Sequence, residues 1–183
     1  MNKITINPKI VVIGGGTGNS VMLKGLKKIT NNISTIVAMG DNGGGTGVLR
    51  EDLGMLPPGD VRACLLALSN IEPQMEKVLN YRFDKGILKG QSFGNLFLAA
   101  LNGVYGSFEK AVVESSNILN LTGKVYPMTT SNVNLIATLK NGNKVFGESQ
   151  IPEEVIKQQS EIDKIELTPV NAVPMKRSNR KNI

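Results

Sequence analysis

The chain has 183 residues, a formal net charge of +6, a single cysteine and no histidine. Its length suits one domain or slightly more, and 40% hydrophobic with 20% charged residues indicates a folded globular protein. The lack of histidine excludes Ser-His-Asp and Cys-His nucleophiles and histidine-ligated metals. Because the start has no signal peptide and no apolar run could span a membrane, we expect a cytoplasmic protein without membrane contact.

The positive charge is concentrated at the end of the chain. Residues 175–183 hold four of the 21 basic residues and no acidic residue, so the rest of the chain is nearly neutral. Aromatic residues make up 4% of the sequence, which supplies few side chains for stacking on nucleotide bases. The sequence therefore disfavours nucleic acid as a partner, and residues 171–183 are interpreted as a basic tail.

A strand-helix-strand unit is predicted first. Residues 9–13 form a β-branched apolar run that ends at glycines, as in a buried parallel strand. Asn19 or Ser20 is predicted to cap a helix that runs to about Lys28, and residues 35–39 are predicted to form a second strand. The unit has about 30 residues, the usual size of a βαβ crossover.

Further elements follow in order. A glycine-rich loop is predicted over 40–58, with helices over 60–69, 73–81, 92–101 and 108–119, and strands over 125–127, 135–148 and 162–167. The segment 135–148 is predicted to be a hairpin that turns at Asn141 and Gly142. The pattern predicts an α/β fold with a parallel sheet, flanking helices and a small β-hairpin region. The sheet is expected to be incomplete, because such folds usually have about five or six strands.

The pentapeptide Gly-Gly-Gly-Thr-Gly occurs twice, at 14–18 and at 43–47. The first copy joins a strand to a helix, where free N–H groups and the positive helix end suit an anion, and Thr17 adds a hydroxyl donor. A tight turn without a ligand is the alternative, but the carboxyl end of a strand favours phosphate binding. The spacing matches neither the dinucleotide motif nor the Walker A loop, which weakens NAD and ATP as specific ligands.

Several single residues are candidates for chemistry. Asp41 ends the second strand, where an acid often binds a ribose hydroxyl, although it could also form an Asx turn. Arg50 could clamp a phosphate or be a solvated surface residue. Asp60 is interpreted as a helix N-cap, with a metal ligand or general base as the alternative, and Ser92 as the cap of a second anion-accepting helix. Cys64 is predicted to be a buried apolar residue.

Taken in series, these stretches resemble the YvcK-like gluconeogenesis factor family, a branch of the 2-phospho-L-lactate transferase superfamily. The resemblance covers about residues 8–170. The motifs that carry it lie at 10–18, 41–44, 56–60, 72–73, 81–83, 92–96 and 147–149.

The resemblance implies a partial Rossmann-like domain over 1–170, with a β-rich insertion at about 124–150. It implies a nucleotide-sugar ligand such as UDP-N-acetylglucosamine, or a dinucleotide, and a regulatory role in bacterial cell shape and growth on gluconeogenic carbon sources. This branch has no established enzymatic activity, whereas transferase relatives move a phospholactyl group with Mg²⁺. The ligand contacts carried over by position are Gly14, Gly15, Gly16, Thr17, Gly18, Asp41, Asn42, Gly43, Gly44, Asp60, Ser92 and Asn95.

Departures from the family pattern define the alternatives. The family usually has an Asp at the position of Asn42, an Arg at Val48 and a His at Gln91, so a metal-dependent reaction is less expected here. Family members are longer, and we therefore expect a C-terminally truncated chain that exposes an apolar sheet edge and face. A Mg²⁺-dependent transferase and a non-functional fragment stay as alternative hypotheses, and a homo-oligomer stays open.

Overall fold

A computed structural model describes residues 7–175 of the chain. The basic side chains of the predicted tail fall at 176–183, outside the described residues. The elements are β1 (Ile10–Gly14), α1 (Gly16–Leu26), β2 (Ile33–Val37), α2 (Gly44–Leu53), α3 (Gly59–Leu68), α4 (Pro73–Asn80), α5 (Phe93–Tyr105), α6 (Phe108–Ile118), β3 (Lys124–Pro127), β4 (Asn134–Leu139), β5 (Lys144–Phe146), α7 (Ile151–Lys157) and β6 (Ile162–Thr168). The predicted α/β class is confirmed.

The first sheet is parallel, with its strands in the order β1-β2-β3. Ile10 lies opposite Ile33, and Thr35 lies opposite Val125. Helices α1 and α3 pack against each other, and α3 also contacts β2 and β3. This packing buries the main apolar core between the helices and the sheet, with Leu23 fully buried at its centre.

The second sheet is antiparallel, in the order β5-β4-β6, and has its own small apolar cluster with α7. The predicted hairpin is confirmed: Gly142 has φ +87°, and the Asn141 Oδ1 atom accepts a hydrogen bond from the Asn143 amide at 3.0 Å. The interval 124–150 contains strands of both sheets, since β3 pairs with β2, and β6 lies beyond this interval.

Helix α1 begins earlier than the sequence predicts. Its N-cap is Gly15, so neither Asn19 nor Ser20 caps it. Asn19 is instead buried inside the fold, where its Nδ2 group lies 3.3 Å from both the Gly14 carbonyl and the Thr35 hydroxyl. The Asn19 side chain thereby links α1 to both β1 and β2.

Helix α2 lies inside the segment that was predicted to be a loop. Its first two residues are glycines, which are poor helix formers, so local propensity argues against a helix there. Leu49 and Arg50 are buried on its inner face, and Gly54 ends it in the left-handed conformation with φ +61°. Tertiary contacts therefore outweigh the unfavourable local sequence.

One face of β1 is uncovered among the described residues. Val11 and Ile13 are 62% and 66% exposed, whereas Val12, which points to the helices, is 8% exposed. The exposed apolar sheet face that the sequence predicts is thus present at β1, which is also an edge strand. Such a surface favours self-association.

The alternation along β1 gives a direct test. We expect the double substitution Val11→Thr and Ile13→Thr to reduce light scattering of the purified chain while leaving the free energy of unfolding within about 0.5 kcal/mol of the wild type. The neighbouring Val12→Thr should lower the free energy of unfolding by about 1–3 kcal/mol, because it buries a hydroxyl. Unchanged scattering of the double variant would show that this face does not drive association.

Candidate functional site

Three helices begin around one pocket at the carboxyl ends of β1 and β2. Gly16 of α1, Gly44 of α2 and Gly59 of α3 line this pocket, which has a volume of about 270 Å³. The first N–H groups of a helix have no partner within the helix, and they carry the positive end of its dipole. Three such helix starts around one pocket produce a surface suited to an anion.

The first glycine loop divides its residues between the pocket and the fold. Gly16 and Thr17 line the pocket, whereas Gly14 ends β1. A Cβ atom at Gly15 would lie 2.4 Å from the Asp60 Oδ2 atom, so this glycine allows α1 and α3 to approach. Gly18 has no atom within 4 Å of where its Cβ would be. Neither Gly15 nor Gly18 lines the pocket.

The second glycine loop also lines the pocket, through Gly43, Gly44 and the hydroxyl-bearing Thr46. Asp41 lies in the same wall, and its Oδ1 atom accepts a hydrogen bond from the Gly43 amide at 2.9 Å. This is the Asx-turn geometry that the sequence left open, and the second carboxylate oxygen stays available at the pocket. Asn42 is used elsewhere, since its Oδ1 atom accepts from the Ser149 amide at 3.0 Å.

Asp60 lies in the first turn of α3, but it does not cap that helix. The N-cap is Pro58, and no side chain bonds the helix start, so the predicted cap is wrong. The carboxylate turns toward α1 instead and accepts a hydrogen bond from the Gly16 amide. Burial raises the pKa of Asp60 above its ordinary value; the Gly16 bond offsets part of this shift, and the nearby charge of Asp41 adds to it.

A third carboxylate adds to this charge. Glu148 follows β5, and its pKa is raised first by burial and then by the charges of Asp41 and Asp60. The turn after β5 therefore contributes negative charge near the pocket. In the described range 7–175, no group of three or more histidine, cysteine or acidic side chains has an arrangement that could hold a metal ion.

Ser92 caps α5, whereas Asn95 lines the pocket. Ser92 is the N-cap of α5, as predicted, and its hydroxyl accepts a hydrogen bond from the Asn95 amide at 3.2 Å. It is 1% exposed and does not line the pocket. Asn95 does line the pocket, and its Oδ1 atom accepts from the Arg62 Nε group at 3.0 Å.

Arg62 and Arg82 line the pocket, and sequence reasoning did not single them out as ligand contacts. Arg62 lies two residues beyond Asp60 in the first turn of α3, so its position next to a pocket acid was an available signal. Burial lowers the pKa of Arg62, and the charge of Arg82 lowers it further. The pocket thus contains two cationic groups that act on each other.

Arg50 has a different role from both that the sequence suggested. It is 8% exposed, and its guanidinium donates to the carbonyl oxygens of Asp41 and Val133, both at 2.9 Å. It also donates to the side-chain oxygens of Asn132 and Asn134. Arg50 is therefore neither a phosphate clamp nor a solvated residue, because oxygen atoms of the protein accept the hydrogen bonds of its guanidinium.

Cys64 is the buried apolar residue that the sequence predicted. It is 1% exposed, and burial raises the pKa of its thiol to about 12, so it is not a nucleophile at neutral pH. Within residues 7–175, no helix is both long enough and apolar enough to cross a membrane.

Comparison with known proteins gives the family. The sequence profile of the family described as 2-phospho-L-lactate transferase CofD matches residues 10–181. The chain belongs to this family. The resemblance found in the sequence is thereby confirmed.

Individual relatives extend the comparison. A relative from Thermoanaerobacterium thermosulfurigenes is 62% identical over 169 residues, which cover 92% of this chain and 52% of the relative. The Bacillus subtilis protein named gluconeogenesis factor is 46% identical over 169 residues, which again cover 52% of that protein. The crystal structure of protein BH3568 from Bacillus halodurans superposes with a TM-score of 0.87 at 41% identity, covering 93% of this chain and 54% of that one. The chain thus spans about half the length of these relatives.

The two glycine pentapeptides provide a matched pair of substitutions at their fifth residues. A Cβ atom at Gly47 would lie 2.4 Å from the Asn42 carbonyl oxygen, whereas one at Gly18 meets nothing within 4 Å. We expect Gly47→Ala to lower the free energy of unfolding by about 1–3 kcal/mol through this clash. Gly18→Ala should raise it by up to about 1 kcal/mol, because alanine favours a helix. Urea denaturation measures the free energy of unfolding of both variants. Equal changes in the two variants would contradict the clash at Gly47 and the open space at Gly18.

Asp60→Asn tests the raised pKa of the carboxyl group. A folded-state pKa above the ordinary value of 3.8 means that the folded protein favours the protonated acid, so this contribution to stability is present at low pH and lost as the pH rises through the folded pKa. We expect the melting temperature of Asp60→Asn to gain about 1–3 °C relative to the wild type between pH 3.5 and pH 7.

The exposed Asp163 of β6 provides the control for this experiment. Asp163→Asn changes the net charge by the same amount, but Asp163 does not line the pocket. A gain that appears in both variants would be a general charge effect. A difference between Asp60→Asn and the wild type that does not grow with pH would contradict the burial argument.

Proposed function

We propose that this chain is the phosphate-binding part of a gluconeogenesis-factor-type regulatory protein that binds a nucleotide sugar of the UDP-N-acetylglucosamine class. The observation that carries this proposal is the pocket at which α1, α2 and α3 begin, with Arg62 and Arg82 beside them. The name of the Bacillus subtilis relative supports the regulatory assignment. A role in bacterial cell shape and in growth on gluconeogenic carbon sources, exercised in the cytoplasm, is part of this proposal.

The size of the pocket supports phosphates as the part of the ligand that it contains. Its volume of about 270 Å³ falls just below the range of roughly 300–1,000 Å³ that is typical of small-molecule sites. A phosphate group fits among the helix starts, while a nucleoside and a sugar extend beyond this volume. Asp41 lies in the pocket wall with a carboxylate oxygen suited to a hydroxyl of the ribose or the sugar.

A Mg²⁺-dependent transferase is the second candidate. The family description names a 2-phospho-L-lactate transferase, and Asp41 and Asp60 lie close enough for their charges to interact. Mg²⁺ in phosphate sites usually takes one or two carboxylates together with phosphate oxygens and water, so these two acids could hold it beside a bound phosphate. The ion would neutralise phosphate charge there. Asn42 cannot serve as an equivalent carboxylate ligand, and its amide oxygen already accepts the Ser149 amide.

Thermal unfolding of the purified chain with UDP-N-acetylglucosamine, NAD or GDP, each with and without Mg²⁺, separates the candidates. We expect UDP-N-acetylglucosamine alone to raise the melting temperature by roughly 5–10 °C at a hundredfold excess over its dissociation constant. Uridine and free N-acetylglucosamine, which lack phosphates, are the controls and should give no shift. A shift that requires Mg²⁺ would favour the transferase, and the absence of any shift would favour a non-functional fragment.

A further inference from the structure

The three arginines of the described residues have different surroundings. Arg50 is buried, and protein oxygen atoms surround its guanidinium. Arg62 and Arg82 both face the pocket instead. The ion pairs found within residues 7–175 all involve lysines, so neither pocket arginine has a carboxylate partner there. The charge of Asp60 acts on Arg62 from a longer range, but no close ion pair among these residues occupies either guanidinium.

Arg62 is held in place by neutral groups. Its Nε group donates to the Asn95 Oδ1 atom at 3.0 Å, and its Nη1 group donates to the Asn80 Oδ1 atom at 3.1 Å. A Cβ atom at Gly94 would lie 2.6 Å from the Arg62 Cδ atom, so the glycine leaves room for the arginine stem. These contacts fix the orientation of the guanidinium without neutralising its charge, which is the arrangement expected of a preorganised anion ligand.

Arg82 is fixed through the backbone. Its Nη1 group donates to the carbonyl oxygen of Gly90, and residue 82 forms an antiparallel bridge with Ser92, the N-cap of α5. The same turn is closed by the Gly90 amide, which donates to the Phe83 carbonyl oxygen at 2.8 Å. Arg82 therefore reaches the pocket from a different segment than Arg62.

Arg62 and Arg82 repel each other, the charge of Asp60 offsets part of this repulsion at Arg62, and a bound anion would relieve it further. A guanidinium can give two parallel hydrogen bonds to a phosphate, which makes arginine a specific ligand for this group. The starts of α1 and α2 line the same pocket through Thr17 and Gly44, and the first amides of a helix have no partner within it. The pocket therefore offers two distinct sets of phosphate donors.

We propose that Arg62 and Arg82 form a subsite for the second phosphate of a diphosphate ligand, with the first phosphate at the starts of α1 and α2. The inference rests on the proposed function in so far as both use this pocket. It adds the residues that determine selectivity: the arginine pair makes the site prefer a diphosphate to a single phosphate, whatever base or sugar the ligand carries.

The test uses isothermal titration of the whole chain with inorganic pyrophosphate and with inorganic phosphate. We expect pyrophosphate to bind the wild type at least tenfold more tightly than phosphate. Arg62→Gln and Arg82→Gln should each weaken pyrophosphate binding by about 10-fold to 100-fold, as expected for the loss of charged hydrogen bonds. Phosphate binding should change less, because the helix starts are retained.

Lys89→Gln is the matched control, because it removes the same charge from an exposed lysine of the turn beside Arg82 without touching the pocket. It should leave both affinities within about twofold of the wild type, the size expected of a distant surface charge. Arg82→Lys keeps the charge but loses the planar donor pair, so we expect only partial recovery of pyrophosphate binding relative to Arg82→Gln. Circular dichroism shows whether each variant is folded. If Arg62→Gln unfolds, the test is made with Arg82→Gln alone, because Arg82 is exposed.

The outcomes separate this inference from the proposed function. Pyrophosphate binding that depends on the arginines, without binding of UDP-N-acetylglucosamine, would support the subsite and contradict the nucleotide-sugar proposal. Binding of UDP-N-acetylglucosamine that both Gln variants retain at wild-type strength would overturn the subsite and leave the nucleotide-sugar proposal intact. Equal affinities of the wild type for phosphate and pyrophosphate would also overturn it.

Discussion

The contact between the Asp60 carboxylate and the start of α1 determines the geometry of the pocket. It requires a glycine at position 15, because a Cβ atom there would lie 2.4 Å from the Asp60 Oδ2 atom. Burial makes an ionised carboxylate unfavourable at this place, and the Gly16 amide compensates in part by donating a hydrogen bond. The contact thus holds the starts of α1 and α3 together at the ends of β1 and β2, where a phosphate can meet both.

Polar contacts join the antiparallel sheet to the rim of the same pocket. Arg50 joins the Asp41 carbonyl oxygen to the segment 132–134, which leads into β4. The Asn42 Oδ1 atom accepts from the Ser149 amide, which lies just after β5. Because both sets of contacts include an atom of Asp41 or Asn42, a displacement of the second sheet would also displace the Asp41 acid. The turn after β5 places Glu148 where the charge of this residue interacts with Asp41 and Asp60.

The sequence predicted the order of the strands and of five of the seven helices in the described range, because apolar runs act locally. It could not distinguish the two Gly-Gly-Gly-Thr-Gly copies, since Gly18 has open space around it and Gly47 lies against the Asn42 carbonyl oxygen. It also missed α2, whose glycine start is compensated by the buried contacts of Arg50. The roles of Arg50 and Arg62 depend on partners far along the chain, such as Val133 and Asn95, and no local pattern encodes them.

The described residues contain the groups proposed to bind phosphate, but the pocket has little surface for the remainder of a nucleotide sugar. The pocket is small, and its hydroxyl and carboxylate groups are those of Thr17, Ser20, Asp41, Thr46 and Asp60. Phosphate contacts of this kind supply affinity for many ligands, whereas selection of a base or sugar needs additional, closely fitting contacts. Since the chain spans about half the length of its relatives, affinity for phosphates and selectivity for the base need not reside in the same half. Because pyrophosphate has neither base nor sugar, its binding measures the affinity for phosphates independently of the selectivity for the base.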